Sequence, residues 1–169
     1  MPQVELQRSL SVPAVPARSA ASYIMHAIEE QRDDWREFAL YLNFGSLGLP
    51  DVGYVAIPVK ISGVQENLEP RHEIRFTMRA MRGPEAFPTF SGAVGIDATG
   101  PSSAQMWLAG DYQVPAGGFG GIFDQIVARG SARKSLENLL EELADAVEAR
   151  VAQRERANAR YRLIFNTGD

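Results

Sequence analysis

The sequence predicts an α+β fold in which an antiparallel sheet is covered by one long C-terminal helix. Two observations support this class. Short stretches of alternating apolar and polar residues recur from the N-terminus to about residue 112, as in half-buried strands. From Ala116 to Val151 the apolar residues instead recur every three or four positions, which is the period of a helix face. Strands followed by a closing helix indicate an α+β domain with the helix on the apolar face of the sheet.

Length and composition limit the function classes. A chain of 169 residues, 45% of them hydrophobic, is long enough for one domain with a sizeable core. The formal net charge of −4 argues against nucleic acid as a partner, because neutralising phosphates requires a basic surface. The absence of cysteine excludes disulfides, a thiol nucleophile and a cysteine-based metal site. Without a secretory signal or an apolar run of about 18 residues, we expect a cytoplasmic protein with no transmembrane segment.

The N-terminal part predicts one strand and two short helices. Apolar and polar residues alternate from Val4 to Val12, and only Arg8 falls on the apolar side. Pro13 and Pro16 are predicted to end this strand, because proline cannot donate to a ladder. Ser19 is the predicted N-cap of the first helix. A second short helix or turn is predicted to begin at Trp35.

A run of about five further strands follows. They are predicted at Tyr41–Phe44, Tyr54–Ile61, Glu73–Arg79, Phe90–Asp97 and Ser103–Tyr112. Glycine- and proline-rich connections separate them and are too short for parallel crossovers, so neighbouring strands should be antiparallel. Pro58 lacks an amide proton, and its strand is therefore predicted to lie at a sheet edge or to bulge there. On the last strand, Met106, Leu108 and Tyr112 are predicted to point inward.

Three local motifs precede the terminal helix. They are Phe90-Ser-Gly-Ala-Val, Leu108-Ala-Gly-Asp-Tyr-Gln-Val-Pro115, and Gly117-Gly-Phe-Gly120 followed by Asp124. Together with the order of elements over residues 3–151, they resemble the helix-grip superfamily, also called SRPBCC, which includes START lipid-transfer domains and polyketide cyclase/dehydrase-like proteins. The resemblance implies a curved antiparallel sheet of about six strands wrapped around the C-terminal helix. We expect a single domain over residues 1–151 and a C-terminal extension over residues 152–169.

The same resemblance implies an internal apolar cavity that binds a hydrophobic small molecule, lipid- or polyketide-like. We expect no cofactor and no metal. Apolar periodicity alone is more typical of a dry, solid core than of a cavity. The residues predicted to line the cavity are apolar or aromatic and lie on the inward faces of the strands and helix: Ile57, Val59, Phe76, Met78, Phe90, Val94, Met106, Leu108, Tyr112, Phe119, Phe123 and Ile126.

Two alternatives use the same fold. A polyketide cyclase/dehydratase-type enzyme would need acid–base groups inside the cavity, and the nearest by strand position are His72, Arg75, Asp111 and Tyr112. Alternation places Arg75 towards solvent and allows only one of Asp111 and Tyr112 to face inward. Binding without catalysis is therefore the favoured hypothesis, although catalysis stays open. The other alternative is an accessory protein that engages a membrane or a protein partner.

The remaining polar features have structural interpretations. The glycines of residues 117–121 lack the lysine and hydroxyl residue that end a phosphate-binding loop. They leave room at a cavity mouth, where Phe119 could act as a gate. His26 and His72 lack metal-ligand spacing and are predicted to be surface or element-end residues.

The terminal helix is predicted to have a solvated charged face and a basic end. The solvated face is predicted to carry Glu141, Glu142, Asp145 and Glu148 together with Arg150 and Arg154. Beyond it, the sequence predicts a basic end in which arginines alternate with apolar residues: Arg154, Arg156, Arg160 and Arg162, with Tyr161, Leu163 and Phe165. This extension could contact a second copy of the chain, giving a homodimer, or an acidic membrane surface.

Overall fold

The computed structural model describes residues 3–31, 39–43, 54–81, 88–113 and 131–165. These residues form a six-stranded antiparallel sheet and two helices, in agreement with the predicted α+β class. The predicted second short helix at Trp35, the predicted start of the terminal helix at Ala116 and the glycine-rich segment of residues 117–121 lie outside the described residues.

The sheet has the strand order β1-β6-β5-β4-β3-β2, so the two strands earliest in the sequence lie at opposite edges. Its strands are β1 (Gln3–Leu10), β2 (Ala39–Asn43), β3 (Tyr54–Asn67), β4 (Glu73–Ala80), β5 (Thr89–Gly100) and β6 (Ser103–Gln113). Every neighbouring pair is antiparallel. The buried residues of β4 alternate with more exposed ones along its whole length, as the period-2 pattern predicts.

The prediction for Pro58 is wrong. β3 is an inner strand between β2 and β4, and its irregularity lies between Ser62 and Gln65, where Gly63 adopts a φ of +66°. Pro58 is tolerated because it pairs with Ala39, the first residue of β2, while its carbonyl accepts a hydrogen bond from Met81 N over 2.9 Å. Its missing amide proton therefore falls where the ladder ends rather than inside it.

The first helix, α1 (Ala14–Glu29), begins earlier than predicted. Pro13 occupies the N-cap position, so Ser19 lies inside the helix and the prediction that it caps the helix is wrong. Pro16 falls in the first turn, where a missing amide proton costs nothing because those groups have no helical acceptor. The buried face of α1 consists mainly of alanines, together with Ile24 and Met25, which allows the helix to lie close to its neighbours.

The terminal helix, α2 (Ser131–Phe165), is continuous over 35 residues. The predicted apolar stripe is confirmed, because Leu136, Leu139, Leu140, Leu143, Val147 and Val151 are all buried. Burial ends at Val151, and residues 153–164 are exposed. The helix thus continues beyond the last residue that it buries in the domain.

α2 contacts both edge strands, β1 and β2, and also β6 and α1. A helix that touches both edges of one sheet can do so only if the sheet curves around it, which is the predicted helix-grip arrangement. Arg150 was predicted to lie on the solvated face, but it is half-buried and places its guanidinium 3.4 Å from the centre of the Tyr23 ring, which links α2 to α1. The sheet and both helices contribute to one apolar core.

Three acidic residues of α2 face β1, which corrects the predicted solvated face. Arg8 Nε lies 2.6 Å from Glu141 Oε2, and Arg8 Nη2 lies 3.3 Å from Asp145 Oδ1. The backbone amide of Ser11 donates to Glu148 Oε1 over 2.6 Å. These positions share one side of α2, so Arg8, the charged residue on the apolar side of β1, meets carboxylates where the strand passes the helix. Glu142 is exposed as predicted.

Candidate ligand-binding site

The inner face of the sheet gathers the described residues that were predicted to line a cavity. Nine of the twelve belong to one buried apolar cluster with the stripe of α2, and none of the nine is more than 7% exposed: Ile57, Val59, Phe76, Met78, Phe90, Val94, Met106, Leu108 and Tyr112. Met106, Leu108 and Tyr112 therefore point inward, as predicted. The other three predicted lining residues, Phe119, Phe123 and Ile126, lie outside the described residues.

An aromatic cluster stands at the centre of this face. The ring centroids of Phe76 and Phe90 are 5.8 Å apart, and those of Phe90 and Tyr112 are 5.4 Å apart in an edge-to-face arrangement. Both distances lie in the range at which aromatic rings attract each other beyond the effect of burial. The three residues come from neighbouring strands, β4, β5 and β6, so the cluster fixes the part of the sheet that is farthest from both edges.

Two glycines make room for the central ring. Gly92 and Gly110 pair across β5 and β6, and a Cβ on either would lie 2.5 Å and 2.6 Å, respectively, from Cζ of Phe90. Such distances are too short for a side chain, so the Phe90 ring can lie against the sheet only because both positions are glycine. These glycines belong to the Phe90-Ser-Gly and Leu108-Ala-Gly motifs, which gives that part of the resemblance a structural cause.

Tyr112 brings a polar group into an apolar surface. Its residue is 2% exposed, and burial raises the pKa of its phenol above the ordinary value. The phenol is therefore protonated at neutral pH and can both donate and accept a hydrogen bond.

The two helices do not cover all strands of the sheet equally. Among the described elements, β4 packs mainly against β3 and β5 rather than against either helix. Even so, Phe76 and Met78 of β4 are buried. Their exposed fractions of 4% and 3% also mean that little water-sized space adjoins these side chains. A ligand at this position would have to displace side chains rather than fill an open void.

A polar cluster lies at the α1 end of the inner face. Nε2 of His72 and Oε1 of Glu66 are 2.8 Å apart, and Ser22 Oγ donates to Oε2 of the same carboxylate over 2.8 Å. Burial raises the pKa of Glu66, but the hydrogen bonds from His72 and Ser22 outweigh it and leave that pKa below its ordinary value. The carboxylate is thus ionised at neutral pH and accepts both bonds, so Nε2 carries the proton.

The burial of His72 corrects its predicted surface position. The residue does precede a strand, β4, but it is only 6% exposed, and its Nδ1 has no hydrogen-bond partner among the described residues. His26 is more exposed and lies 3.9 Å from Glu29, measured from Nδ1 to Oε2. No group of three or more histidine and acidic residues in the described ranges could hold a metal ion. This cluster was missed because its members are far apart in the sequence.

The four candidate acid–base residues do not converge. Arg75 is exposed and bonds to Glu73, while Asp111 lines a shallow depression on the outer face of the sheet. Tyr112 pairs with Phe90, whereas His72 precedes Glu73, which pairs with Gly95. About six residues of strand therefore separate the levels of Tyr112 and His72, which corresponds to about 20 Å along the strands.

The outer face carries a second aromatic–glycine contact that the sequence analysis missed. Trp107 pairs with Gly95, and its indole lies where a Cβ of that glycine would be. The guanidinium of Arg71 lies 4.3 Å from the centre of the Trp107 ring and pairs with Asp97. The hydrogen bond from Arg71 holds the pKa of Asp97 below its usual value. The sequence signal that could have indicated this contact is a tryptophan on β6 that pairs with a glycine on β5.

Comparisons with known proteins agree with this architecture. No protein-family model matches the sequence, and no curated protein matches it either. Among solved structures, a point mutant of norcoclaurine synthase from Thalictrum flavum, in complex with a transition-state analogue, is similar with a TM-score of 0.53 and 11% identity, covering 91% of this chain and 96% of that one. A conserved protein from Geobacillus kaustophilus is similar with a TM-score of 0.50 and 13% identity, covering 90% and 96%.

A third similar structure is the Zhui aromatase/cyclase from Streptomyces sp. R1128, with a TM-score of 0.48, 12% identity and coverage of 93% of this chain and 97% of that one. At 11% and 13% identity, the norcoclaurine synthase and Geobacillus kaustophilus structures show a likeness of fold. The chain has the helix-grip fold, as its sequence motifs predicted. The described residues contain no helix that is long and apolar enough to cross a membrane.

Proposed function

We propose that this protein binds a hydrophobic small molecule, lipid- or polyketide-like, between the inner face of its sheet and α2. The observation that carries the proposal is the continuous apolar surface of that face, built around Phe76, Phe90 and Tyr112. This surface is rich in aromatic and thioether groups and includes one phenol. Such a composition suits a ligand that is mostly apolar and has one polar group to orient it.

The fold supports the same function class. Proteins with the helix-grip fold typically bind hydrophobic ligands. The norcoclaurine synthase structure holds a transition-state analogue, so a chain of similar fold accommodates an organic molecule. Fold likeness alone does not transfer that activity. It supports binding of a small molecule as the property to test first.

Side chains of the protein fill the proposed site, and two methionines among them can move to admit a ligand. Met78 and Met106 both face inward, and methionine has an unbranched side chain that repacks at low cost. We propose that a ligand displaces such side chains and meets the Phe90 ring and the Tyr112 phenol. Phe119, Phe123 and Ile126 complete the lining in this proposal.

Binding is favoured over catalysis because the acid–base candidates are dispersed. Arg75 and Asp111 are associated with the outer face, and His72 is engaged with Glu66 about 20 Å along the strands from the level of Tyr112. General acid–base catalysis requires groups within hydrogen-bond reach of the reacting atoms. These four residues do not supply a pair at one place on the inner face.

The first test is native mass spectrometry of the freshly purified protein, followed by solvent extraction of any bound molecule. We expect a mass that exceeds that of the 18.5 kDa chain, or of its dimer, by the mass of an apolar ligand for each chain. The apo protein should also bind the hydrophobic fluorophore 8-anilinonaphthalene-1-sulfonate. A mass equal to that of the chain or its dimer without ligand, with no fluorophore binding and no uptake from a mixture of lipids and polyketides, would refute the proposal.

Two methionines form a matched pair for locating the site. Met106 and Met25 are buried to the same degree, but Met106 is predicted to line the site and Met25 lies on α1. Each substitution by alanine should destabilise the fold by about 2–5 kcal/mol. Only Met106→Ala should change ligand or fluorophore affinity. Equal effects of the two variants on affinity would place binding elsewhere.

We propose, separately, that the extension beyond the domain of residues 1–151 is where the protein meets a second copy of itself. α2 continues to Phe165, and residues 153–164 are exposed. An isolated helical overhang of this length is marginal in water, because most helical stability in proteins comes from packing. Contact with a partner would supply that packing.

A further inference from the structure

The face of α2 opposite its buried stripe carries a charge pattern that is complementary to itself. We call this face the outward stripe. Its members recur at intervals of three or four residues and are exposed, apart from the half-buried Ala152: Asn138, Glu142, Asp145, Ala149, Ala152, Arg156 and Arg160. Residues at this spacing lie on one side of a helix.

The charges of the outward stripe change sign at its centre. Glu142 and Asp145 precede the two alanines, and Arg156 and Arg160 follow them. We infer that the outward stripe binds the same stripe of a second copy of this chain, with the two α2 helices antiparallel and related by a two-fold axis near Ala149 and Ala152. This inference rests on the proposed self-association and specifies its geometry.

The spacing along α2 fits the antiparallel arrangement. With the axis midway between Ala149 and Ala152, Asp145 lies about 8 Å to one side and Arg156 about 8 Å to the other, at 1.5 Å per residue. Asp145 therefore falls opposite Arg156 of the partner subunit. Glu142 falls within about 1.5 Å of the level of Arg160 of the partner subunit. Two-fold symmetry repeats each pair, giving four ion pairs from two kinds of contact.

The side chains at the centre allow the helices to approach. Interaxial distances between packed helices depend on the size of the residues at the contact, and alanine is the smallest residue that favours a helix. Ala149 and Ala152 stand where the two helices would come closest. The chain's own core lies on the opposite side of α2, and the outward stripe borders the sheet at Asp145, which contacts Arg8 of β1.

The charged groups of the outward stripe are available. Within the described part of the chain, Glu142, Arg156 and Arg160 make no hydrogen bond or ion pair. Asp145 shares one oxygen with Arg8, and its side chain is 70% exposed, which leaves the other oxygen free for a second partner. A self-complementary contact would pair all four charges without disturbing the link between α2 and β1.

A second copy fits this stripe better than an acidic membrane does. Residues 152–165 contain four arginines and one glutamate, a net charge of +3, in a chain whose total is −4. An anionic surface would attract Arg156 and Arg160 but would repel Glu142 and Asp145 on the same face. The two halves of the stripe are matched to each other, and only an antiparallel copy presents both signs in the required order.

The test is the molar mass in solution, by size-exclusion chromatography with light scattering over a range of protein concentrations. The wild-type protein should have twice the mass of the 18.5 kDa chain. Glu142→Arg and Arg160→Glu should each weaken self-association by about tenfold or more, because each creates two like-charge contacts by symmetry. Mixing the two variants should restore a dimer, since every altered contact then joins opposite charges.

The control is Arg154→Glu, which makes the same charge change on the same overhang but off the outward stripe. It should leave the dimer intact. A wild-type protein that stays monomeric at all concentrations would refute self-association itself, and binding of that monomer to anionic vesicles would identify a membrane as the occupant instead. A dimer that Glu142→Arg and Arg160→Glu do not weaken would refute this geometry and leave self-association standing.

Cross-linking gives an independent readout, because the chain has no cysteine of its own. Ala149→Cys places a single thiol near the proposed two-fold axis, and mild oxidation should give a covalent dimer. Ala157→Cys places a thiol at an exposed position on another side of the same helix and should not cross-link comparably. Equal cross-linking of both variants would overturn the proposed axis.

Discussion

The two faces of the β5–β6 strand pair use glycine in the same way but with different results. On the inner face, Phe90 lies over Gly92 and Gly110 and joins two other rings in the core. On the outer face, Trp107 lies over Gly95 and is covered by the Arg71 guanidinium. Each glycine removes a side chain so that an aromatic ring can lie against the backbone.

The difference lies in what surrounds each ring. Phe90 is fully buried and belongs to the main apolar cluster, whereas Trp107 is 8% exposed and stands outside that cluster. The inner ring is held by other apolar side chains, and the outer ring by a solvated ion pair. We therefore expect the inner contact to control both stability and ligand binding, and the outer contact to affect stability alone.

The largest expected effect comes from removing the rings. Phe90→Ala should lower the free energy of unfolding by about 4 kcal/mol, because it leaves a cavity that apolar neighbours cannot fill. Trp107→Ala should lower it by about 2 kcal/mol, less than a core tryptophan, because water can occupy the vacated outer position. Urea denaturation measures both values, and fluorophore binding should change only in the Phe90 variant.

Phe90→Leu provides a folded alternative if Phe90→Ala does not accumulate, because it retains most of the apolar volume. It should still alter fluorophore binding. The comparison between the faces would fail if Trp107→Ala proved as destabilising as Phe90→Ala. It would also fail if Trp107→Ala changed ligand binding by the same factor.

The next effect in size comes from filling the space under the inner ring. In Gly110→Ala the new methyl group would lie 2.6 Å from Cζ of Phe90 and 2.5 Å from the carbonyl oxygen of Ser91. Overpacking of this kind should lower the free energy of unfolding by about 2 kcal/mol. Differential scanning calorimetry or denaturant titration would measure it.

Gly63→Ala is the matched control for that variant. Nothing lies within 4 Å of its new methyl group, but the positive φ of Gly63 disfavours alanine. The expected cost is about 1 kcal/mol, from backbone conformation alone. If Gly63→Ala were the more destabilising of the two, the close approach of Phe90 to the glycine pair would not be the dominant constraint.

The sequence predicted the inner face well because periodicity reports burial directly. The six apolar positions of α2 and the inward residues of β4 and β6 all follow from spacing of about 3.6 or 2. The start of α1 was predicted wrongly because Pro13 and Pro16 were interpreted as breakers. Proline has no amide proton, so it fits the first turn of a helix as well as the end of a strand. These two prolines therefore did not show where α1 begins.

Contacts between distant residues could not be predicted from local pattern. Arg8 and Asp145 are 137 positions apart, and only the passage of β1 beside α2 brings them together. The same holds for Ser22, Glu66 and His72, which α1 and the β3–β4 hairpin assemble. The contact of Trp107 could not be predicted either, because both faces of β6 carry large side chains. In each case the sequence gives the residue type, and the topology gives the partner.

The smallest expected effect concerns two carboxylates with different partners, Glu66 beside the buried His72 and Asp97 beside the exposed Arg71. The pKa of each is lower than usual, so each stabilises the fold above its unfolded pKa, about 4. That contribution is lost as the pH falls through the folded pKa. Glu66→Gln should therefore cost about 1 kcal/mol at pH 7 and almost nothing near pH 3.

Asp97→Asn is the outer-face control, and the salt dependence of unfolding distinguishes it from Glu66→Gln. The Arg71 side chain that binds Asp97 is 55% exposed, whereas the His72 side chain that binds Glu66 is 5% exposed. High salt screens exposed pairs much more than buried ones. The decrease in the free energy of unfolding, measured at pH 7, should thus become smaller in high salt for Asp97→Asn and stay the same for Glu66→Gln. If both costs fade together, the burial of His72 does not protect its contact with Glu66 from salt, and the difference between the two partners does not matter.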